Sequence, residues 1–454
     1  MSRYVELAEQ ALHAAEGDEA EVLVQAERSG VARFAGSVVH QPTLIDNAVV
    51  RIRIVRDGKA GWAATNRVDR EGLTEVARRA AEAADGARPD PDFPGVASPA
   101  DYPEIGGYDE ETAGLGADDQ ARLAAAAIEA VPDFELYGYF SSGVTELALA
   151  ASTGLRAQQS LTDAVCLCLA ATEGASGWAE QSAWRATDVD PAEAARAAAE
   201  TAGRTRGAVE LEPGSYAAVL EPYAVAELLR WFAYDSLGAF GFLEERSYLC
   251  GRIGEQAFDP KISLADDALD SRNLPKAFDF EGTPKQRVEL VEDGVLRGVV
   301  WDRLTAARAE DGQVSTGHAP ADSWRYYGPL PMALSLAPGD AASTGELLER
   351  IGDGIYVTRL HYLGIVEPRE GVLTGMTRDG TFRVRDGKLA EPLVNLRFTV
   401  ALPDVLHDVP GLGRELKLVN LSDLYDERYP YAALVPALAT ARFHITGSGS
   451  GPGL

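Results

Sequence analysis

Val50, Ile52 and Ile54 alternate with Arg51 and Arg53, and Asp57-Gly58 then separates this run from Ala60–Thr65. A period of two places one set of side chains on each face of a strand. Asp-Gly between two such runs specifies a tight hairpin, because both central residues adopt positive φ. This stretch therefore commits the chain to antiparallel sheet with one apolar face, and that face has to be covered. Helical spacing on either side supplies the cover. Val5, Ala8 and Leu12 lie on one face of a helix over 3–15, and residues 71–85 are rich in Ala, Arg and Glu. Residues 20–35 alternate as a strand, with a break expected at Ser29-Gly30. Together these segments form an N-terminal α+β unit.

Residues 86–104 hold Pro89, Pro91, Pro94, Pro99 and Pro103. Proline lacks the backbone donor, so the segment reads as a linker or a stretch hugging the surface. A second helix is predicted over 117–131 and a strand meander over 134–182. Asp190-Pro191 opens another helix, with Asp as N-cap and Pro in the first turn, running to Ala202. A strand over 216–220 leads into Glu221-Pro222 and a helix to Ala233. Beyond it strand and loop dominate, with turns at Asp293-Gly294, Asp379-Gly380 and Asp386-Gly387 and helices over 299–309 and 343–352. The stretch Gly447–Gly453 is flexible by composition. At 454 residues the chain is long enough for two to four domains. Boundaries near 100 and 207 divide it into 1–100, 101–207 and a larger, β-rich 208–454. The fold class is α+β.

Charge excludes some functions. Lys and Arg total 42 against 70 Asp and Glu, a net charge of −28. Such a surface repels phosphate backbones and anionic lipid heads, which argues against nucleic acid and membrane partners. No apolar run reaches the ~18–20 residues of a membrane span. The start of the chain lacks the basic and apolar regions of a signal peptide, so the cytoplasm is the expected location.

Catalytic motifs are sparse. The six histidines (His13, His40, His318, His361, His407, His444) include no pair within five residues, so no H-E-x-x-H helix exists. There is no Cys-x-x-Cys, nucleophile elbow, phosphate loop or dinucleotide fingerprint. Cys166 and Cys168 share one face of an apolar strand and read as buried small hydrophobes, and Cys250 stands alone. The acid pairs Glu244-Glu245 and Asp266-Asp267 read as solvated surface charges. The alternative, a like-charge pair with one raised pKa, requires burial.

Several segments in order resemble the TldD/PmbA (TldD/TldE) family. They are Val31–His40 with its Arg33-Phe34-Ala35 core, and the hairpin from Arg51 through Asp57-Gly58-Lys59-Ala60-Gly61 to Asn66. They continue with Asp279–Pro284, Glu292–Leu296, Thr316-Gly317-His318-Ala319, Val357–Leu360, Thr377–Gly380 and Asn395–Thr399. The resemblance implies an α+β protein of two related subunits. One, the TldD type, carries zinc on an H-E-x-x-x-H helix and a Cys near its C-terminus. The other, the TldE or PmbA type, lacks these ligands. The pair encloses a cavity in which unstructured peptides are cut.

Laid on the helix after Pro222, the zinc motif falls on Arg230, Trp231 and Asp235, in place of His, Glu and His. The last cysteine is Cys250, so the C-terminal ligand is absent too. Guanidinium stays protonated and cannot bind zinc. The resemblance therefore points to a non-catalytic TldE-type subunit with no metal of its own, zinc residing in a TldD-type partner, and a peptide or unfolded protein as substrate. Arg230, Trp231 and Asp235 are candidates for peptide or partner contact, and so is His318 in its family-like loop. The plainer reading packs Leu228, Leu229 and Phe232 inward and turns Arg230 to solvent. Two other readings stand beside this one: a homodimeric peptide-binding or scaffold protein without protease activity, and an enzyme whose metal sits on His318, His361 and a carboxylate.

Overall fold

The computed structural model describes residues 2–422, 424 and 427–449. The chain opens with α1 (Arg3–His13), β1 (Glu19–Ala35), β2 (Val38–Arg56), β3 (Lys59–Thr65) and α2 (Arg70–Gly86). Asp57 and Gly58 have φ of 49° and 71°, so the predicted hairpin turn is present, with Arg56 facing Lys59. The break expected at Ser29-Gly30 is absent. Strand β1 runs through it, Gly30 pairing with Leu44 on one side and Ser142 on the other. Glycine is needed there for close packing, because a Cβ would lie 2.0 Å from the Gln120 side-chain oxygen.

Residues 87–109 form no helix or strand, yet they are held down. Val96 and Ala97 are buried, Glu19 accepts from Val96 N at 2.7 Å, and Arg303 donates to the carbonyls of Gly95 and Val96. Next come α3 (Glu110–Ala113), α4 (Ala117–Glu129), β4 (Glu135–Ala151), β5 (Arg156–Thr172), β6 (Ala175–Ala183) and α5 (Pro191–Arg204). Asp190 caps α5 by accepting from Ala192 N and Glu193 N. The six strands form one antiparallel sheet in the order β3-β2-β1-β4-β5-β6. Val22, Val24, Val50, Ile52 and Ile54 bury against α1 and α2. Cys166 and Cys168 lie buried on one face of β5, under α4 and α5, with their sulfurs 3.8 Å apart.

The remainder holds β7 (Gly214–Leu220), α6 (Pro222–Ser236), α7 (Ala239–Leu243), β8 (Leu264–Asp266), β9 (Val288–Glu292), β10 (Val295–Leu296) and α8 (Arg303–Arg308). It continues with β11 (Leu334–Leu336), α9 (Thr344–Ile351), β12 (Gly354–Glu367), β13 (Val372–Arg385), β14 (Lys388–Leu393), β15 (Leu396–Ala401) and α10 (Leu402–His407). It closes with β16 (Gly411–Leu412), β17 (Lys417–Asn420), β18 (Ala432–Val435) and β19 (Leu438–Ser448). Two sheets result, β10-β9-β8-β11-β18-β17 and β12-β7-β19-β15-β13-β14, with β16 on β19. The apolar side chains of α6, among them Leu228, Leu229 and Phe232, lie in the large core these sheets share.

Asp293-Gly294 and Asp386-Gly387 turn the chain as predicted, between β9 and β10 and between β13 and β14. Asp379-Gly380 does not. It lies inside β13, where positive φ at both residues accompanies a register shift against β12. That is a bulge, which re-aims a side chain without ending the strand. Gly447 and Ser448, expected to be flexible, pair with Arg397 and Leu396 at the end of β19, and the rest of that stretch from residue 450 lies outside the described residues. Among the described residues no helix is long and apolar enough to cross a membrane.

Candidate functional site

Helix α6 follows β7 directly, with Pro222 in its first turn. Its apolar residues face the core, which leaves Glu227 and Arg230, one turn apart, on a common side. Strand β6 reaches this side from the first sheet, and β12 and β17 reach it from the C-terminal sheets. Between them lies a cavity of about 200 Å³ walled by Trp178, Glu180, Glu227, Arg230, Arg359 and Asn420.

The wall is a network of charges. Tyr223 anchors it, its hydroxyl accepting from Glu180 N at 2.9 Å and donating to Glu180 O at 2.6 Å. Glu180 is 4% exposed, and its side chain accepts from Asn420 N at 2.8 Å. Burial pushes its carboxyl up to about 7, against the Asn420 N–H and the Lys417 charge. Burial also raises Glu227, opposed by Arg230 and Arg359. Arg230 donates from Nε to the Tyr234 hydroxyl at 2.6 Å and lies 3.6 Å from Glu227. Burial works against its charge, but Glu227 and the tyrosines outweigh it and hold the guanidinium protonated. Arg359 stands over the Trp178 ring and donates to Asp379 Oδ2 from Nε at 2.8 Å and Nη2 at 2.5 Å. The β13 bulge aims Asp379 at this arginine, and Ser176 donates to its other oxygen at 2.7 Å.

Of the four predicted contact residues, the structure brings Arg230 to the cavity, and Arg230 faces its interior instead of open solvent. Trp231 is half-buried, its ring edge-on to Tyr234 at 5.6 Å. Asp235 does not line the cavity and accepts from Arg246 Nη1 at 2.8 Å. His318 is fully buried elsewhere, with Nε2 2.8 Å from Asp266 Oδ1 and Nδ1 2.9 Å from the Thr316 hydroxyl.

The Asp266-Asp267 pair is therefore not the solvated pair that was expected. Asp266 is completely enclosed, and Asp267 is nearly so, with its oxygen 2.7 Å from Arg287 Nη1. Burial alone would raise Asp266. His318, Lys285 and the Ala333 N–H outweigh it and hold the carboxyl down to about 2. Burial and the Lys285 charge lower His318, and its Nε2 donates to the Asp266 carboxylate, which can only accept. Glu244 and Glu245 are exposed, as expected.

The zinc that the family resemblance implies does not fit here. Arg230 is a paired cation, Trp231 offers no ligand, and Asp235 is engaged by Arg246. Among the described residues no group of three or more His, Cys, Asp or Glu is placed to hold a metal. His361 lies apart from His318. Its ring centroid lies 4.2 Å from that of Tyr362 with the planes tilted by 53°, and it is pushed down to about 4 by burial and by Arg378 and Arg359.

Sequence reasoning missed Glu180, Glu227, Tyr223 and Arg359. One signal was present: Glu227 and Arg230 are charges three apart in an otherwise apolar helix, a spacing that places them side by side. Nothing local marks Glu180.

Comparison with known proteins agrees with this architecture. The profile of the PmbA/TldA metallopeptidase C-terminal domain matches residues 213–447, and that of PmbA/TldA metallopeptidase domain 1 matches residues 20–84. A metalloprotease of Methanothermobacter thermautotrophicus is 29% identical over 237 residues, 50% of this chain and 49% of that protein. A zinc metalloprotease TldD homolog of Saccharolobus solfataricus is 28% identical over 192 residues, 40% of each. The chain thus spans about half or less of the length of these two relatives. The crystal structure of TldE from Thermococcus kodakarensis superposes with a TM-score of 0.85 at 19% identity, covering 98% of this chain and 99% of that one, which shows a shared fold. With the C-terminal profile alone covering more than half of its residues, the chain belongs to the PmbA/TldD metallopeptidase family.

Proposed function

We propose that this chain is the non-catalytic, TldE-type subunit of a heterodimeric zinc metalloprotease that cleaves unstructured peptides. It completes the internal cavity and binds substrate, and a TldD-type partner supplies the zinc and activates water. The observation that carries this reading is Arg230. A permanently charged guanidinium, paired with Glu227 and bonded to Tyr234, stands where the family's zinc motif, laid on α6, would place its first ligand. A fixed cation repels a divalent metal and leaves no lone pair for it. Peptide contact in this reading falls to Arg230, the one candidate that lines the cavity. A cytoplasmic location and the division at 100 and 207 belong to the same proposal.

The test is to purify the chain alone and together with a TldD-type chain bearing H-E-x-x-x-H. Zinc is measured by elemental mass spectrometry and hydrolysis is followed on an unfolded protein. The expected result is no zinc in the chain alone and hydrolysis by the mixed complex only. Stoichiometric zinc in the chain alone overturns the reading. A stable homodimer indifferent to the partner would replace it with the peptide-binding scaffold.

A further inference from the structure

We infer that the cavity beside α6 binds the free α-ammonium end of a peptide, with Glu180 and Glu227 as its acceptors. The inference rests on the peptide-binding part of the reading above and specifies which end of the peptide is held.

Three observations carry it. The first is an unfilled acceptor. Glu180 is 4% exposed and lines the cavity, and its one side-chain hydrogen bond among the described residues is from Asn420 N to Oε1. Among the described residues its second oxygen accepts no hydrogen bond, and it is not sealed off from the cavity, so an entering donor can reach it.

The second is the pairing of charge. Glu180 and Glu227 both line the cavity, with Arg230 and Arg359 as its basic residues. Arg230 pairs with Glu227 and Arg359 with Asp379, so among the described residues Glu180 is the cavity carboxyl with no basic side chain in contact. An α-ammonium supplies a positive charge as three N–H donors that reach two carboxylates at once. A peptide carboxylate entering the same space meets Glu180 and Glu227 and is repelled.

The third is size. The cavity has a volume of roughly 200 Å³. That accommodates a terminal residue and not a folded segment. Arg230 Nη2 makes no hydrogen bond among the described residues and is available to the first peptide carbonyl.

The test is calorimetric titration of the chain alone with trialanine, N-acetyl-trialanine and trialanine amide. Trialanine and its amide are expected to bind, and acetylation to weaken binding about tenfold or more, the worth of one charged hydrogen bond. Glu180→Gln, checked for folding by its unfolding curve, should cost trialanine a similar factor and leave the acetylated peptide unaffected. Binding of neither peptide, or equal binding of the free and acetylated forms, overturns the inference. If the mixed complex still hydrolyses an unfolded protein in that case, the subunit reading stands without it. Loss of hydrolysis by the mixed complex strikes the subunit reading instead.

Discussion

The Tyr223 hydroxyl closes a two-way hydrogen bond with the main chain of Glu180, accepting at 2.9 Å and donating at 2.6 Å. Glu180 sits on β6, the last strand of the first sheet, opposite Leu167 of β5. Its outward N–H and C=O are edge groups with no further strand to pair with. One side chain from α6 satisfies both, so the helix that carries Arg230 is fastened to the sheet that carries Glu180.

Tyr223→Phe keeps the edge-on contact with Trp178 and removes only this clasp. Two buried main-chain groups lose their partner, and the expected loss is about 1–3 kcal/mol of unfolding free energy. Urea denaturation measures it. A variant as stable as the parent would mean that water replaces the hydroxyl.

Glu180→Gln should change stability in a pH-dependent way. The folded protein holds this carboxyl at about 7, above the ordinary value of 4.5. A raised folded pKa adds stability below the unfolded value, and that stability is lost as pH rises through the folded one. Glutamine does not titrate, so the variant should gain on the parent between about pH 4.5 and about pH 7, by roughly 1–3 kcal/mol, and stay level above that. Paired urea titrations at about pH 5 and about pH 8 decide it; an identical difference at both would show that Glu180 titrates as a solvated acid.

His318→Ala leaves the Asp266 carboxylate buried without its side-chain donor. Asp266 keeps the Ala333 N–H at 2.7 Å, so the charge is not abandoned. The expected destabilisation is about 3 kcal/mol. Thermal unfolding with less than about a third of that loss would argue that the pair is strained or solvated.

Gly380→Ala tests the β13 bulge. Glycine has φ of +133° there, and a Cβ would lie 2.7 Å from Thr201 and Thr358. A cost of about 2–4 kcal/mol is expected, from backbone strain plus overpacking. Gly298→Ala, which meets nothing within 4 Å and lacks positive φ, serves as the near-neutral control. If the two variants melt together, the bulge does not aim Asp379 in the way described.

Most helices and hairpins were legible because their determinants lie within a few residues of one another. Asp190 caps its own helix, Pro222 starts the next, and Asp57-Gly58 sets a register through its own φ angles. Local reading erred where a residue answers to something distant. Gly30 resembles a strand break but makes room for Gln120, and Asp379-Gly380 resembles a turn but is held in a strand by β12. Asp266-Asp267 resembles a surface pair until His318, Lys285 and Ala333 are brought around it.

The amino-acid order by itself determined the class of the fold, the place of its helices and turns, and, through Arg230, Trp231 and Asp235, the want of a zinc-binding helix. Only the tertiary structure decided what surrounds that helix. Glu180, Glu227, Arg359 and Asn420 lie on four elements far apart in sequence, and each alone reads as an ordinary surface residue. A charge has its pKa shifted here by losing its water, and that loss depends on packing between distant segments, which no local pattern of residues records.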